Sequence, residues 1–495
     1  MSFSFLSAIV FLPLIGAVVI VLLPKSLLKS AKFVALSFAL VAFVLSLVVF
    51  CQFDRSSGVV GQMQFEEKIV WISAINAYYH LGVDGISLPM VILMTFLGVL
   101  AVLVSWRIDL RPREYFAWLL LLETSILGVF CSLDLILFFL FWELELIPMY
   151  FLISIWGSGR KEYSAIKYVI YTLTGSALML AGILSLYFTT GTLSMVELTG
   201  LLAAKPVIPF TAIFFLLLVG FAIKLPVFPL HTWLPDAHTD APTAASVVLA
   251  GALLKMGGYG MIRVCVSIFP AVALQYAPLF VALAVVNVLY GAGVTMRQKD
   301  LKRLIAYSSV SHMGYVLLGI FALSPVSLTG ATLQMFSHGI VTGLLFAMVG
   351  LVYEKSHERN LDNLGGLARQ MPVIAVVFTV AGLASLGLPG TSGFAAEFIT
   401  FVGSFSSAAV KWIQVYTVLG VFGVVLTAGY ILWMLQRVFY GPPQEKFNGV
   451  PDADNVDKVC IFSFVVAIML VGLYPAILTN VIKIGVEPLT QLLGL

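Results

Sequence analysis

Charge is scarce in this sequence: Asp, Glu, Lys and Arg together make up 10% of 495 residues, against 61% hydrophobic residues. A water-soluble core cannot absorb that ratio, so an ordinary globular domain is excluded. Cysteine is equally sparse. Cys51, Cys131, Cys265 and Cys460 are scattered, with no C-x-x-C pair and no histidines beside them, which argues against a disulfide framework, a structural zinc or an iron–sulfur cluster. No G-x-x-x-x-G-K-[ST] or strand-to-helix G-x-G-x-x-G is present, and a formal charge of +3 is too small to attract nucleic acid. Strand-like alternation is also missing, which argues against a membrane β-barrel.

What the chain does have is apolar runs of about 20 residues, each long enough to cross a hydrocarbon core as a helix. The expected fold is an all-α polytopic membrane protein. Fourteen crossings are expected, near residues 3–23, 31–51, 85–106, 115–132, 135–155, 163–189, 207–230, 243–265, 272–295, 304–323, 328–352, 372–405, 412–436 and 459–482. The first run is followed, not preceded, by Lys25, Lys29 and Lys32 and has no small-residue cleavage site, so it reads as a retained span. A tight turn at Cys131-Ser132-Leu133-Asp134 divides what would otherwise be one over-long run.

Basic residues orient the crossings. Eighteen of the 27 fall in loops after odd-numbered spans, including Arg107, Arg160, Arg297, Lys302 and Arg359. Six, Arg55, Lys68, Lys205, Arg263, Lys411 and Lys483, fall on the other side, and Lys167, Lys224 and Lys255 lie within spans. The positive-inside rule then puts both termini on the non-cytoplasmic side, with a bacterial-type cytoplasmic membrane as the expected location.

The ionisable groups left inside the spans are few: Glu123, Glu143, Glu145, Lys167, Lys224, Lys255, His312, His338 and Glu397. A charge at mid-bilayer costs roughly 2.5–3.5 kcal/mol on insertion scales, so these groups are expected to face protein, water or one another. Glu143 lies mid-span in "FFLFWELELIPMYFLI". Glu145 sits about 200° further round an ideal helix, so the two should not share one lining; Glu143 is the candidate and Glu145 has no assigned role. Glu123 either belongs to the site or makes a structural pair toward the basic end that holds Arg111 and Arg113.

Lys224 stands in "FAIKLPVFPLH", where Pro226 and Pro229 remove the N–H groups owed to the carbonyls of Ala222 and Leu225. The helix is opened beside a lysine, and freed carbonyls could solvate its amine. Lys255 follows in "GALLKMGGYG", where Gly251, Gly257 and Gly258 would also serve close helix packing. His312 and His338 are either packing residues or groups that pass a proton from one ring nitrogen to the other; neither has metal-site spacing. Lys167, close to Arg160 and Lys161, is expected to snorkel to the basic side. A second break, "SLGLPGTSGF", precedes Glu397, with Pro389 freeing the carbonyl of Ser385.

The two broken spans are five apart, which suggests inverted repeats. The division expected is 1–114 (three leading helices), 115–268 and 269–440 (five-helix repeats) and 441–495 (a final helix). Glu143 then corresponds in position to His312, and Lys224 to the neighbourhood of Glu397.

The stretches "FWELELIPMYFLISIWG", "GFAIKLPVFPLHTWLPDAHTDAPTAASVVLAGALLKMGGYGMIR", "KRLIAYSSVSHMGYVLLG", "QMFSHGIVTGLLF" and "LASLGLPGTSGFAAEF" resemble the antiporter-like subunit M family of proton-pumping NADH:quinone oxidoreductase, respiratory complex I. Glu397, where the sister L and N subunits carry lysine, points to the M type, and Glu145 is an addition to the family pattern. The resemblance implies that Glu143 pairs with Lys224, that Lys255 is the central relay, and that Glu397 leads to the exit side with His312 and His338 assisting. It implies no redox cofactor in this chain, with NADH, FMN, iron–sulfur clusters and quinone handled by partner subunits. It also implies neighbours of the L and N types and smaller helical subunits in the bilayer. The rival readings are a subunit of a multisubunit Na⁺/H⁺ antiporter or membrane-bound hydrogenase, a self-contained secondary transporter, and a purely structural membrane subunit.

Overall fold

The computed structural model describes residues 4–56, 62–198 and 206–494; Lys205, one of the outer basic residues, lies outside the described residues. The chain enters with α1 (Phe5–Leu22) and α2 (Ala31–Gln52), then forms a hairpin of β1 (Gln64–Ile72) and β2 (Ala77–Val83). Next come α3 (Ser87–Val104), α4 (Pro112–Cys131), α5 (Leu135–Leu144), α6 (Leu146–Trp156), α7 (Lys161–Thr190) and the short α8 (Met195–Leu198). The turn between α4 and α5 is closed by Asp134, whose carboxylate accepts from the backbone N–H of Ile136 and Leu137 at 2.9 and 3.2 Å. That satisfies two of the donors a helix start leaves free.

The middle of the chain is α9 (Phe210–Lys224), α10 (Trp233–Asp240), α11 (Thr243–Val248), α12 (Leu254–Gly260), α13 (Pro270–Thr295), α14 (Leu301–Phe321) and α15 (Pro325–Ser356). Two π-helical stretches, Leu249–Leu253 and Met261–Val266, flank α12 and run the whole of Thr243–Val266 together as one helical rod. The chain closes with α16 (Pro372–Ser385), α17 (Ser392–Phe405), α18 (Ile413–Val438), α19 (Asn455–Leu473) and α20 (Ala476–Leu492).

Among the described residues twelve helical stretches are long and apolar enough to cross a membrane, and three shorter apolar helices, α9, α16 and α17, fall where prolines break the sequence. The protein is a multi-pass integral membrane protein. Burial separates the helices into two sets: residues 244–266 are wholly buried and α14 and α15 are mostly buried, whereas most residues of α2 and α19 are not. The poorly buried helices turn Val44, Ile170, Val425 and Val466 outward, as a hydrocarbon solvent allows. At the centre α15 packs against α3, α11, α14, α16, α17 and α19. The ionisable residues singled out above sit on or beside this inner set.

Candidate functional site

The first break is built as the prolines require. Helix α9 stops at Lys224, and the Ala222 carbonyl that Pro226 cannot serve accepts instead from Val227 N–H at 2.9 Å. The remaining loose groups are gathered by Asn287 of α13. Its Oδ1 accepts from Phe228 N–H at 2.7 Å, and its amide donates to the carbonyls of Pro226 (3.3 Å) and Val310 (3.0 Å). Trp233 closes the far side by donating its indole N–H to Ile223 O at 2.9 Å. The opened segment is therefore a held shape rather than a frayed end.

Lys224 is fully buried, and its Nζ is ion-paired with Glu145. This corrects the expected pairing with Glu143. The run of helix is interrupted at Glu145, between α5 and α6, where Pro148 has no N–H for the Leu144 carbonyl. Glu145 itself keeps helical angles (φ −67°, ψ −22°), so what decides which carboxylate meets the lysine is the packing of α7 and α9 beside each one. The Tyr168 hydroxyl of α7 donates to the second oxygen of Glu145 and also lies 3.2 Å from Lys224 Nζ. The rings of Tyr168 and Trp142 complete the wall, 5.0 and 5.7 Å from the nitrogen. Glu143 lies within electrostatic reach of both Lys224 and Glu145, beside Ser176. Its Oε1 is buried with no hydrogen-bond partner among the described residues. The amine is thus met by side chains, not by the freed backbone carbonyls that the sequence suggested.

Lys255 is also fully buried, in α12 between the two π-helical stretches. Its Nζ donates to the Ala250 carbonyl and lies 2.8 Å from His338 Nδ1 on α15. On the other side of α12, a Cβ on Gly257 would sit 2.5 Å from Phe221 O and 2.6 Å from Leu225 N, so α12 presses on α9 one turn from Lys224. The His338 ring is 5.6 Å, centre to centre, from that of His312 on α14, and its Nε2 is buried without a partner among the described residues. His312 Nε2 in turn lies 2.9 Å from Ser385 O and 3.7 Å from Glu397 Oε1.

That contact with Ser385 is the second break. Gly387 (φ 80°) and Gly390 (φ 91°) take left-handed conformations on either side of Leu388-Pro389, turning the chain from α16 into α17. Glu397 on α17 is buried beside the Gln334 amide of α15.

Lys167 is paired at 2.7 Å with Asp236 of α10, a carboxylate that also faces the basic-side residue Arg303 at 3.4 Å. Glu123 does not reach Arg111 or Arg113, which are spent on Glu114 and on the Leu23 carbonyl. It is buried against Gly98 of α3, with Oε1 unpartnered. Sequence reasoning missed Tyr168, Asn287 and His238. His238 is buried, stacked on Phe346 at 4.5 Å, and within electrostatic reach of Lys255. Arg263, counted with the basic residues of the outer side, is buried and ion-paired with Asp84, ahead of α3.

Residues 132–427 match the family described as NADH:quinone oxidoreductase/Mrp antiporter, TM. The chain is 40% identical to the NADH-quinone oxidoreductase subunit M of Rhodobacter capsulatus, over 99% of this chain and 96% of the relative. It is likewise 40% identical to the NAD(P)H-quinone oxidoreductase chain 4 of Gloeobacter violaceus, over 99% of this chain and 93% of the relative. Among solved structures, a chain of respiratory complex I from Thermus thermophilus with bound NADH superposes with a TM-score of 0.88 at 28% identity, covering 99% of this chain and 100% of that one.

Proposed function

The chain belongs to the NADH:quinone oxidoreductase subunit M family, and on that premise we propose that it moves protons across the membrane along a buried line of side chains. The line runs from the Lys224 cluster through Lys255, His338 and His312 to Glu397. The observation that carries this reading is the close succession of titratable groups in the second half: Lys255 to His338 at 2.8 Å, the two imidazole rings at 5.6 Å centre to centre, and His312 to Glu397 at 3.7 Å. An imidazole can take a proton on one nitrogen and release one from the other; the two nitrogens of His312 face the Ser308 and Ser385 carbonyls at 2.8 and 2.9 Å. Between Lys224 and Lys255 no direct side-chain bond is formed among the described residues.

The driving chemistry lies outside this chain. NADH, FMN, iron–sulfur clusters and quinone are assigned to partner subunits, and L- and N-type subunits with smaller helical ones are the proposed neighbours. Moving one charge against about 200 mV takes about 4.6 kcal/mol. Separating a buried ammonium from its carboxylate costs about 3–5 kcal/mol, so displacement of the Lys224 ion pair by a partner is of the size needed to drive one transfer. The breaks after α9 and after α16 support two inverted repeats, 115–268 and 269–440, with the relay at their mid-planes. The loop charges support a bacterial-type cytoplasmic membrane with both termini on the non-cytoplasmic side.

The test is Lys224→Ala in the assembled oxidoreductase, with proton translocation in proteoliposomes measured alongside NADH oxidation. A fall in translocation supports the relay; parent-level translocation returns the chain to a structural role.

A further inference from the structure

Two carboxyl groups converge on one ammonium. Glu145 is wholly buried and uses both oxygens, one on Lys224 and the other on the Tyr168 hydroxyl. Glu143 reaches the same cluster from a different height. It lies beside Ser176, and Tyr168 and Ser176 stand eight residues apart on α7, with the buried Thr172 between them. Those three positions share one face of α7 and span about 12 Å along it. Glu143 and Glu145 thus both reach this polar stripe of α7, Glu143 at Ser176 and Glu145 at Tyr168.

The charges do not balance if both acids are ionised. One ammonium against two carboxylates leaves a net negative charge among the rings of Trp142, Tyr168 and Phe221, and such a cluster relaxes by retaining a proton. Glu145 is the group already held as an anion, by an ion pair and a hydroxyl donor. Glu143 has a buried oxygen with no hydrogen-bond partner among the described residues.

We propose that Glu145 is the fixed counter-charge of Lys224, and that Glu143 is a separate proton-holding carboxyl that reloads Lys224 after the lysine has discharged toward Lys255. The step is a single proton transfer: the O–H bond of the Glu143 carboxylic acid breaks, an N–H bond forms on the neutral Lys224 amine, and a carboxylate and an ammonium remain. No oxidant or reductant enters. The negative charge of Glu145 favours the ammonium product throughout, and Tyr168 keeps that carboxylate in place. The inference rests on the relay reading above and divides roles within its first cluster.

The experiment uses the assembled oxidoreductase carrying Glu143→Gln, Glu145→Gln, Glu145→Asp and Lys224→Ala, with incorporation of the chain verified in each preparation. Proton translocation is measured in proteoliposomes, and infrared spectra are recorded for the C=O stretch of a buried protonated carboxyl. The expected result is loss of that band in Glu143→Gln and its retention in Glu145→Gln. Translocation should fall in both glutamine variants and recover in Glu145→Asp. Parent-level translocation in Glu145→Gln, or loss of the band in Glu145→Gln with retention in Glu143→Gln, overturns the proposal while a defective Lys224→Ala leaves the relay standing. Parent-level translocation in Lys224→Ala removes the relay and this inference with it.

Discussion

The Nε2 of His312 lies 2.9 Å from the carbonyl oxygen of Ser385, the group that Pro389 leaves without its helical donor. A proline in α16's continuation thereby creates an acceptor for a histidine on α14, and the same nitrogen lies within 3.7 Å of Glu397. The break positions the imidazole at the end of the line.

Pro389→Ala returns an N–H to the position that could serve Ser385 and so competes with His312. Proton translocation by the assembled complex is expected to fall, with the chain still incorporated. Translocation at the parent level would mean that the His312 contact is dispensable.

Asn287→Ala leaves the Phe228 N–H and the carbonyls of Pro226 and Val310 without their side-chain partner. Each buried group left unpaired costs about 1–3 kcal/mol, so a clear drop in thermal stability of the purified complex is expected, together with lower translocation. Thermal unfolding of parent and variant checks the first and proteoliposome assays the second.

Gly257→Ala introduces a Cβ 2.5 Å from Phe221 O, against backbone that cannot swing aside. A loss of about 1–3 kcal/mol and a widened α9–α12 contact are expected. Gly293→Ala is the matched control, since nothing lies within 4 Å of its Cβ position, and it should leave stability and translocation unchanged.

Asp84, outside the spans, carries a pH signature. Burial alone would raise its carboxyl, but the Arg263 guanidinium and the backbone N–H groups of Ser87 and Ile86 outweigh burial and hold it below the usual carboxylate range. A folded-state value below the unfolded one gives stability that is present above about pH 4 and is lost as pH falls through the folded value. Asp84→Asn strands the buried Arg263 charge and should cost about 3–5 kcal/mol at neutral pH. The gap between parent and variant in thermal unfolding is expected to close only in strong acid.

Much of this geometry could be read from the sequence, because prolines announce their effects locally. Pro226 and Pro389 name the carbonyls they free, and both helices end where those prolines require. The turn at Cys131–Asp134 was equally visible, since Asp134 is a strong helix-starting residue after an over-long apolar run. The partners of the charges were less visible. The Glu145 contact depends on how α7 and α9 pack beside two carboxylates two residues apart, which periodicity does not fix. Asn287 lies 59 residues from Phe228, on a helix whose apolar composition gives no hint of the break it serves. Lys167 finds Asp236 only because α10 folds back beside α7. Long-range pairings of this kind are fixed by packing, and packing leaves no local mark.

Lys255 stands at the centre of the proposed line, with Lys224 on one side and His338 on the other, and Lys255→Ala removes the amine while leaving both neighbours. Protons translocated per NADH oxidised, measured in proteoliposomes of the assembled oxidoreductase, should fall with that substitution. An unchanged ratio, with the variant chain present in the complex, would contradict a proton path through this subunit.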